Sequence, residues 1–405
     1  MEKRGGIMET RIRRGQDLEK VISSLDITPT MEENAREKYK AISDYLMGNG
    51  VNADFYPQGS FRLGTVIRPY KDGKDQVYDL DIVCKVVGDK QAVTPSYVKN
   101  VIGAPLKNSA LYSEKLLEED ECCWTLEYAK IDDKTGFRLD LVPAIGQGSE
   151  EILTLIANGV PADKASEAIA ITEKISNQKY VWKSSNPKGY ATWFDEINYP
   201  FLRSVEEVQK RSIFEANKHL YASVEEVPII LIRSPLQRTI QILKRHRDVY
   251  YYRSKTENKK PTSAIITTLA AQFARGVSPQ IGVIELLEHV TSELAIYSEL
   301  LVDSTIRNYS TLDARTFIKR DEEKWYIGNP VDPLDNYADG WDEETAQLFF
   351  RWSKVVKEDF IDAEYYANQI PVSFADSLGY SGNAVPIPRA SEPIRVQTTK
   401  PWRLN

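Results

Sequence analysis

Apolar and polar positions alternate over Val77-Tyr78-Asp79-Leu80-Asp81-Ile82-Val83-Cys84, which predicts a strand. With a side-chain period of two, Asp79 and Asp81 fall on one face and Tyr78, Leu80, Ile82 and Cys84 on the other. A one-residue slip would bury both carboxylates, so the apolar face fixes the register. Upstream, Ala35, Tyr39, Ile42 and Leu46 recur at helical spacing. The pattern predicts a helix that begins after Thr28-Pro29-Thr30, with Thr30 as N-cap and Glu33 completing a capping box, and stops at Gly48-Asn49-Gly50. A short strand-like run, Val51 to Tyr56, follows. Further on come a helical stretch near Ser96 to Tyr112 and a hairpin of Trp124 to Ile131 with Phe137 to Val142, turned at Asp132 to Gly136. In its second strand Phe137, Leu139 and Leu141 share a face and Asp140 points the other way.

From about Glu151 the pattern turns helical. Trp182-Lys183-Ser184-Ser185-Asn186-Pro187-Lys188-Gly189-Tyr190 interrupts it, either as a loop suited to contacting a nucleobase or as a turn capping the helix that holds Trp193 and Phe194. Leu236 to Tyr251 is strongly basic, and Ala264 to Phe273 reads as an apolar helix. Residues 1 to 24 are polar and read as loosely ordered, and the Pro-, Ser- and Gly-rich stretch from 369 reads as a tail. The expected class is α+β: a core of residues 1–215 built on a mixed sheet, a helical lobe of 216–368 and a tail of 369–405.

Composition narrows the class. The 405 residues are 42% hydrophobic and 27% charged, ordinary for a globular chain with sizeable cores. The net charge of −7 argues against a protein whose main task is to coat nucleic acid. Three cysteines without Cys-x-x-Cys spacing and three histidines argue against structural zinc and for a reduced cytosol. No apolar run reaches the ~18 residues of a membrane span, and Met1-Glu2-Lys3-Arg4-Gly5-Gly6 does not read as a secretion signal, so a cytoplasmic location is expected.

The chemistry concentrates on the carboxylates. Mg²⁺ takes oxygen ligands, typically one or two protein carboxylates completed by water and substrate phosphates, and Asp79 with Asp81 offers that arrangement. Asp140, on a neighbouring strand, is a candidate third ligand. Asp-x-Asp alone is common on solvated strands, and Gly59-Ser60 alone is usually a plain turn. Ahead of a paired-carboxylate strand, the Gly59 N–H and the Ser60 hydroxyl become candidates to hold a phosphate, with Gln58 and Arg62 as weaker members of the cradle.

The order Gly-Ser, Asp-x-Asp, lone Asp resembles the DNA polymerase beta-type nucleotidyltransferases. Gln58-Gly59-Ser60-Phe61-Arg62-Leu63-Gly64-Thr65, Tyr78 to Asp81, the basic helix Leu236 to Asp248 and Lys260-Pro261-Thr262-Ser263 resemble the bacterial cGAS/DncV-like enzymes, the cyclic-oligonucleotide synthases (CD-NTases) of CBASS anti-phage systems. The resemblance runs from about Leu25 to about Trp352. It implies that the first long helix spans both lobes from behind and that Lys244 and Ser263 contact the donor triphosphate, the serine from a helix N-terminus where free N–H groups favour an anion. A charge run such as that around Lys244 is otherwise usually a solvated face. Asn329-Pro330-Val331-Asp332-Pro333-Leu334-Asp335-Asn336 resembles the Asp-Pro-x-x-Pro-x-x-Asn segment of oligoadenylate synthases, with Asn329 in place of the first aspartate.

The implied cofactor is Mg²⁺, as two ions that Mn²⁺ can replace. One would be held by Asp79, Asp81 and Asp140 and the other by Asp79 and Asp81. The implied reaction joins ATP and a second nucleoside triphosphate into a cyclic dinucleotide, with a trinucleotide as a variant, releases pyrophosphate and needs no nucleic-acid template or membrane. CBASS accessory proteins are the implied partners. A linear oligoadenylate synthase, an RNA or small-molecule nucleotidyltransferase, and a non-catalytic nucleotide sensor are the competing readings.

Overall fold

The computed structural model describes residues 18–19, 21–128, 136–176, 179–302, 317–362 and 376–379. The expected turn at Asp132 to Thr135, residues 1–17 and most of the tail from 369 lie outside them. The helix α1, Pro29–Gly48, starts two residues earlier than the sequence suggests. Its N-cap is Thr28, whose hydroxyl accepts from the Met31 N–H, and not Thr30, and Glu33 completes no capping box. The reason is Pro29, whose fixed φ suits the first helical position and whose missing N–H costs nothing there. Ala35, Ile42 and Leu46 are buried as their spacing requires.

Strand β1, Ala53–Gln58, leads into a short helix α2, Gly59–Arg62, and then into the long strand β2, Tyr78–Val86. Helix α3, Pro95–Lys107, and strand β3, Trp124–Tyr128, carry the chain across to β4, Phe137–Gly146. Two strands follow where the sequence predicts helix up to Val181 and then a loop or capping turn from Trp182: β5, Ile169–Ser176, and β6, Lys179–Ser185. The sheet order is β1-β2-β4-β5-β6, with β3 paired to the first half of β4 and β5 to its end. Only β2 and β4 run parallel, so the sheet is mixed. That pair needs a crossover, and α3 with β3 supplies it. Leu80, Ile82 and Cys84 pack with Leu139 and Leu141 against α1 and α3, where Gly103 lies so close to the Trp124 ring that a Cβ would meet it at 2.4 Å.

The helical part comprises α4, Pro187–Ala216, α5, Pro235–Ser254, α6, Ser263–Ala274, α7, Val283–Tyr297, and α8, Glu343–Phe360. Ala191, Trp193, Phe194, Ile197 and Phe201 of α4 belong to the same apolar cluster as α5 to α8. So do Leu18, Val21 and Ile22, which corrects the expectation of a loose stretch for these residues; residues 1–17 lie outside those described.

Helix α5 departs furthest from expectation. Ser234 and Gln237 form a capping box at its start, and it is buried all round. Arg238, Lys244, Arg245 and Arg247 are therefore no solvated face; Arg245 is 0% exposed. The arginines' charges are met by acids, two of them brought from upstream in the chain and the third the neighbouring Asp248 of the same helix. Asp26 accepts from Arg238, Asp75 from Arg245 at 2.6 Å and Asp248 from Arg247 at 2.8 Å. Arg245 also donates to the carbonyls of Arg68 and Leu378, so this helix ties the sheet's connector and the 376–379 segment to the helical part. Arg253, near the end of α5, is open to solvent and pairs with Asp376 at 2.9 Å.

Candidate active site

Direct pairing puts Gln58 of β1 opposite Asp81 of β2, Asp81 beside Asp140 of β4, and Asp140 opposite Thr125 of β3. These four side chains form one row across four strands, neighbours about 5 Å apart, with Asp79 two positions along β2 on the same face. Thr125 was not singled out in the sequence; only its register opposite Asp140 marks it. Its hydroxyl donates to Asp140 Oδ1 at 2.6 Å.

Gly59 opens α2 with φ +62°, and a Cβ there would stand 2.5 Å from Asp81 Oδ2. The position needs glycine on both counts. Gly59-Ser60 is thus the first turn of a short helix laid against Asp81, not a plain turn. Arg62 ends that helix in an ion pair with Asp195 at 2.6 Å.

Burial drives all three carboxyls upward. Asp81 is pushed up to about 7 by desolvation and by the charges of Asp140 and Asp79, and Asp79 to about 6 by desolvation and Asp140. Asp140 is raised as well, mainly by desolvation, while the Thr125 hydrogen bond holds it down. Asp79 is the most open of the three to solvent, and its carboxyl rises less than that of Asp81. Facing them, Lys244 is brought down to about 7 by burial and the nearby Arg247, against the pull of Asp248, Asp81 and Asp79. A concentration of carboxylates that resist ionising together, with oxygen donors only, fits a hard divalent cation. Among the described residues no three His, Cys, Asp or Glu side chains close around an ion by themselves. The expected trio therefore does not close as a cage in this structure.

A cleft of about 300 Å³ opens between the sheet and the helical part. Gln58, Gly59, Ser60, Asp81, Lys244 and Ser263 all line it; Asp79 and Asp140 lie outside its lining, on the strand face that continues from Asp81. Lys244 is 4% exposed and donates to the Thr65 carbonyl at 2.9 Å. The Thr65 hydroxyl, buried in the same wall, has no hydrogen-bond partner among the described residues. Ser263 is the first residue of α6, not its cap, which is Thr262. Arg247 donates to Ser263 Oγ at 3.2 Å.

The two readings of the Trp182–Tyr190 stretch separate by residue. Trp182 to Ser185 belong to β6, and Asn186 caps α4, its side chain accepting from the Gly189 N–H. Ser185, Asn186 and Tyr190 also line the cleft, so the capping turn is one of its walls. Asn329 lines it too, but its amide is engaged with Asp335 and the Val331 N–H.

The comparisons with known proteins agree on the family of the chain. A family model described as cyclic GMP-AMP synthase DncV-like, nucleotidyltransferase domain, matches residues 53–141, the span from β1 through Asp140. A c-di-GMP synthase of Roseivirga ehrenbergii is 30% identical over 329 residues, covering 80% of this chain and 72% of that protein. Among solved structures, the Bradyrhizobium diazoefficiens CD-NTase CdnG in complex with GTP matches with a TM-score of 0.62 at 20% identity, over 90% of this chain and 98% of that one. E. coli MS115-1 CdnC with ATP matches with a TM-score of 0.55 at 14% identity, over 90% of this chain and 97% of that one.

Proposed function

We propose that this protein, which belongs to the family of bacterial cGAS/DncV-like nucleotidyltransferases, joins two nucleoside triphosphates into a cyclic dinucleotide, releasing a pyrophosphate at each of two displacements. The observation that carries the reading is the cleft itself, in which Gln58, Ser60 and Asp81 face the buried Lys244 and the half-buried Ser263 on the helices, while Asp140 continues the row from Asp81 on the same strand face. The name of the Roseivirga relative makes GTP the first substrate to test, beside ATP.

In this reading Asp79, Asp81 and Asp140 hold divalent ions, Mg²⁺ or Mn²⁺. Such ions, when bound, lower the pKa of the attacking ribose hydroxyl and neutralise the triphosphate and the leaving pyrophosphate. The chain's own groups do the positioning. The Gly59 N–H and Ser60 hydroxyl donate to phosphate oxygens from the start of α2, with Gln58 beside them. Lys244 and Ser263 meet the same triphosphate from the opposite wall. Lys244 is held where it can add charge without reorganising, because its stem is buried and its ammonium is already fixed on Thr65. The first product must then turn so that its remaining triphosphate lies in the donor position while its ribose hydroxyl attacks.

The basic helix supports independence from nucleic acid, since Arg238, Arg245 and Arg247 are buried and spent on internal partners. The division into a core of 1–215, a helical lobe of 216–368 and a tail is kept as a proposal with its first boundary moved earlier in the chain, since Leu155, Val160, Ala165 and the α4 residues Ala191 to Phe201 pack in the same apolar cluster as α5 to α8. An anti-phage CBASS role with accessory proteins, in the cytoplasm, is the setting we propose; among the described residues no helix is long and apolar enough to cross a membrane. The test is incubation with all four ribonucleoside triphosphates and mass spectrometry of phosphatase-treated products. A phosphatase-resistant cyclic dinucleotide supports the reading; only linear products, or none with Mg²⁺ or Mn²⁺, would overturn it.

A further inference from the structure

Thr125 lies at the end of the cross-strand row that contains Asp81 and Asp140, on a strand that contributes no other group to the site. Its hydroxyl lies 2.6 Å from Asp140 Oδ1 and 3.6 Å from Cys123 Sγ. An ionised carboxylate only accepts, so the threonine proton must go to Asp140. Cys123 Sγ is itself 3.6 Å from Asp120 Oδ1. The threonine is β-branched and held in a paired strand, so its χ1 is restricted and the hydroxyl direction is set by the backbone. We propose that Thr125 is a positioning residue for the nucleotidyl transfer, fixing one oxygen of Asp140 so that the other is presented towards Asp81 and Asp79 at a set angle.

The need for such a residue follows from the electrostatics of the row. Asp140 is repelled by the carboxylates it must join, and on a lone side chain that repulsion is relieved by rotating away. A 2.6 Å bond to a neutral donor on the far side opposes that rotation without adding a positive charge that would compete with a cation. Groups that orient metal ligands commonly matter by about 10- to 100-fold in metal affinity or activity.

The inference rests on Asp140 being a metal ligand, and the experiment separates the two. Thr125→Val keeps shape and β-branching but removes the hydroxyl, Thr125→Ser restores it, and Asp140→Asn is the control. Mn²⁺ binding by electron paramagnetic resonance is measured on each, with steady-state kcat and KM and thermal unfolding. The expected result is that Thr125→Val weakens Mn²⁺ binding and lowers kcat by about 10-fold or more with KM near its original value, while Thr125→Ser recovers to within about 3-fold. Wild-type Mn²⁺ affinity and kcat in Thr125→Val, or a serine variant as impaired as the valine one, would overturn the positioning role. If Thr125→Val proves unfolded, Thr125→Ala read against Thr125→Ser decides by the same criteria. Full Mn²⁺ binding and turnover in Asp140→Asn would instead sink the metal role of Asp140 itself.

Discussion

Replacing Asp79 and Asp81 together by asparagine should abolish turnover and, at the same time, make the protein more stable at alkaline pH. The folded carboxyls stand at about 6 and about 7 against an unfolded value near 4. The sign follows from proton counts. Between pH ~4 and ~7 the folded state holds more protons than the unfolded one, so these groups make stability fall as pH rises through that window. Above it both are ionised in the fold and their cost is fully present. At about 1.4 kcal/mol per unit, Asp81 alone sets an upper bound of about 4 kcal/mol. The two costs are not added, because part of each is repulsion from the other, and water in the open cleft lowers the figure further. A gain of about 1–2 kcal/mol remains, or a rise of about 1–2 °C in melting temperature at pH 8 for a chain of this length. At pH 4 the gain should vanish, since the wild-type carboxyls are then neutral. Thermal unfolding of metal-free protein at both pH values, with product formation at pH 8, is the assay. A variant that still turns over refutes the catalytic assignment; one that is destabilised at pH 8, or equally stabilised at pH 4, refutes the electrostatic argument.

Three further outcomes follow from the same geometry. Lys244→Met should raise the KM for nucleoside triphosphate by about 10- to 100-fold, the loss of one charge-assisted hydrogen bond, with melting temperature changed little because a costly buried ammonium goes with it; an unchanged KM in steady-state kinetics would contradict it. Gly59→Ala should cut kcat by about 100-fold, since the new Cβ displaces the Asp81 carboxylate and a misplacement near 1 Å is costly; wild-type kcat would show that this contact relaxes harmlessly. Nuclease-treated enzyme should form product at the same rate with and without double-stranded DNA or RNA, and a large salt-sensitive stimulation by either would expose a nucleic-acid surface outside the buried basic helix.

What the sequence made legible was governed by local period. The alternation of β2 follows from one buried face, and the pairing of Asp81 with Asp140 needed only that two such strands be neighbours. Strands β5 and β6 escaped the reading because Glu173, Lys174, Lys179 and Lys183 load an edge with the residues that also compose helices, next to the helical run 149–157. Helix α5 escaped it for a deeper reason. Charge density predicts solvent only when the counter-charges are water and ions, and here they are Asp26, Asp75 and Asp248, two of them more than 150 positions away in the chain. A periodicity reading has no access to such pairs. Yet they are what the site requires. A lysine meant to meet a triphosphate must sit in a dry wall to act strongly, and a dry wall cannot be built from a helix whose other cations face solvent. Sinking Arg238, Arg245 and Arg247 into internal ion pairs lets the helix be core on every side from Pro235 to Val249 and present Lys244 alone to the cleft, with Arg253 in solvent only beyond that stretch.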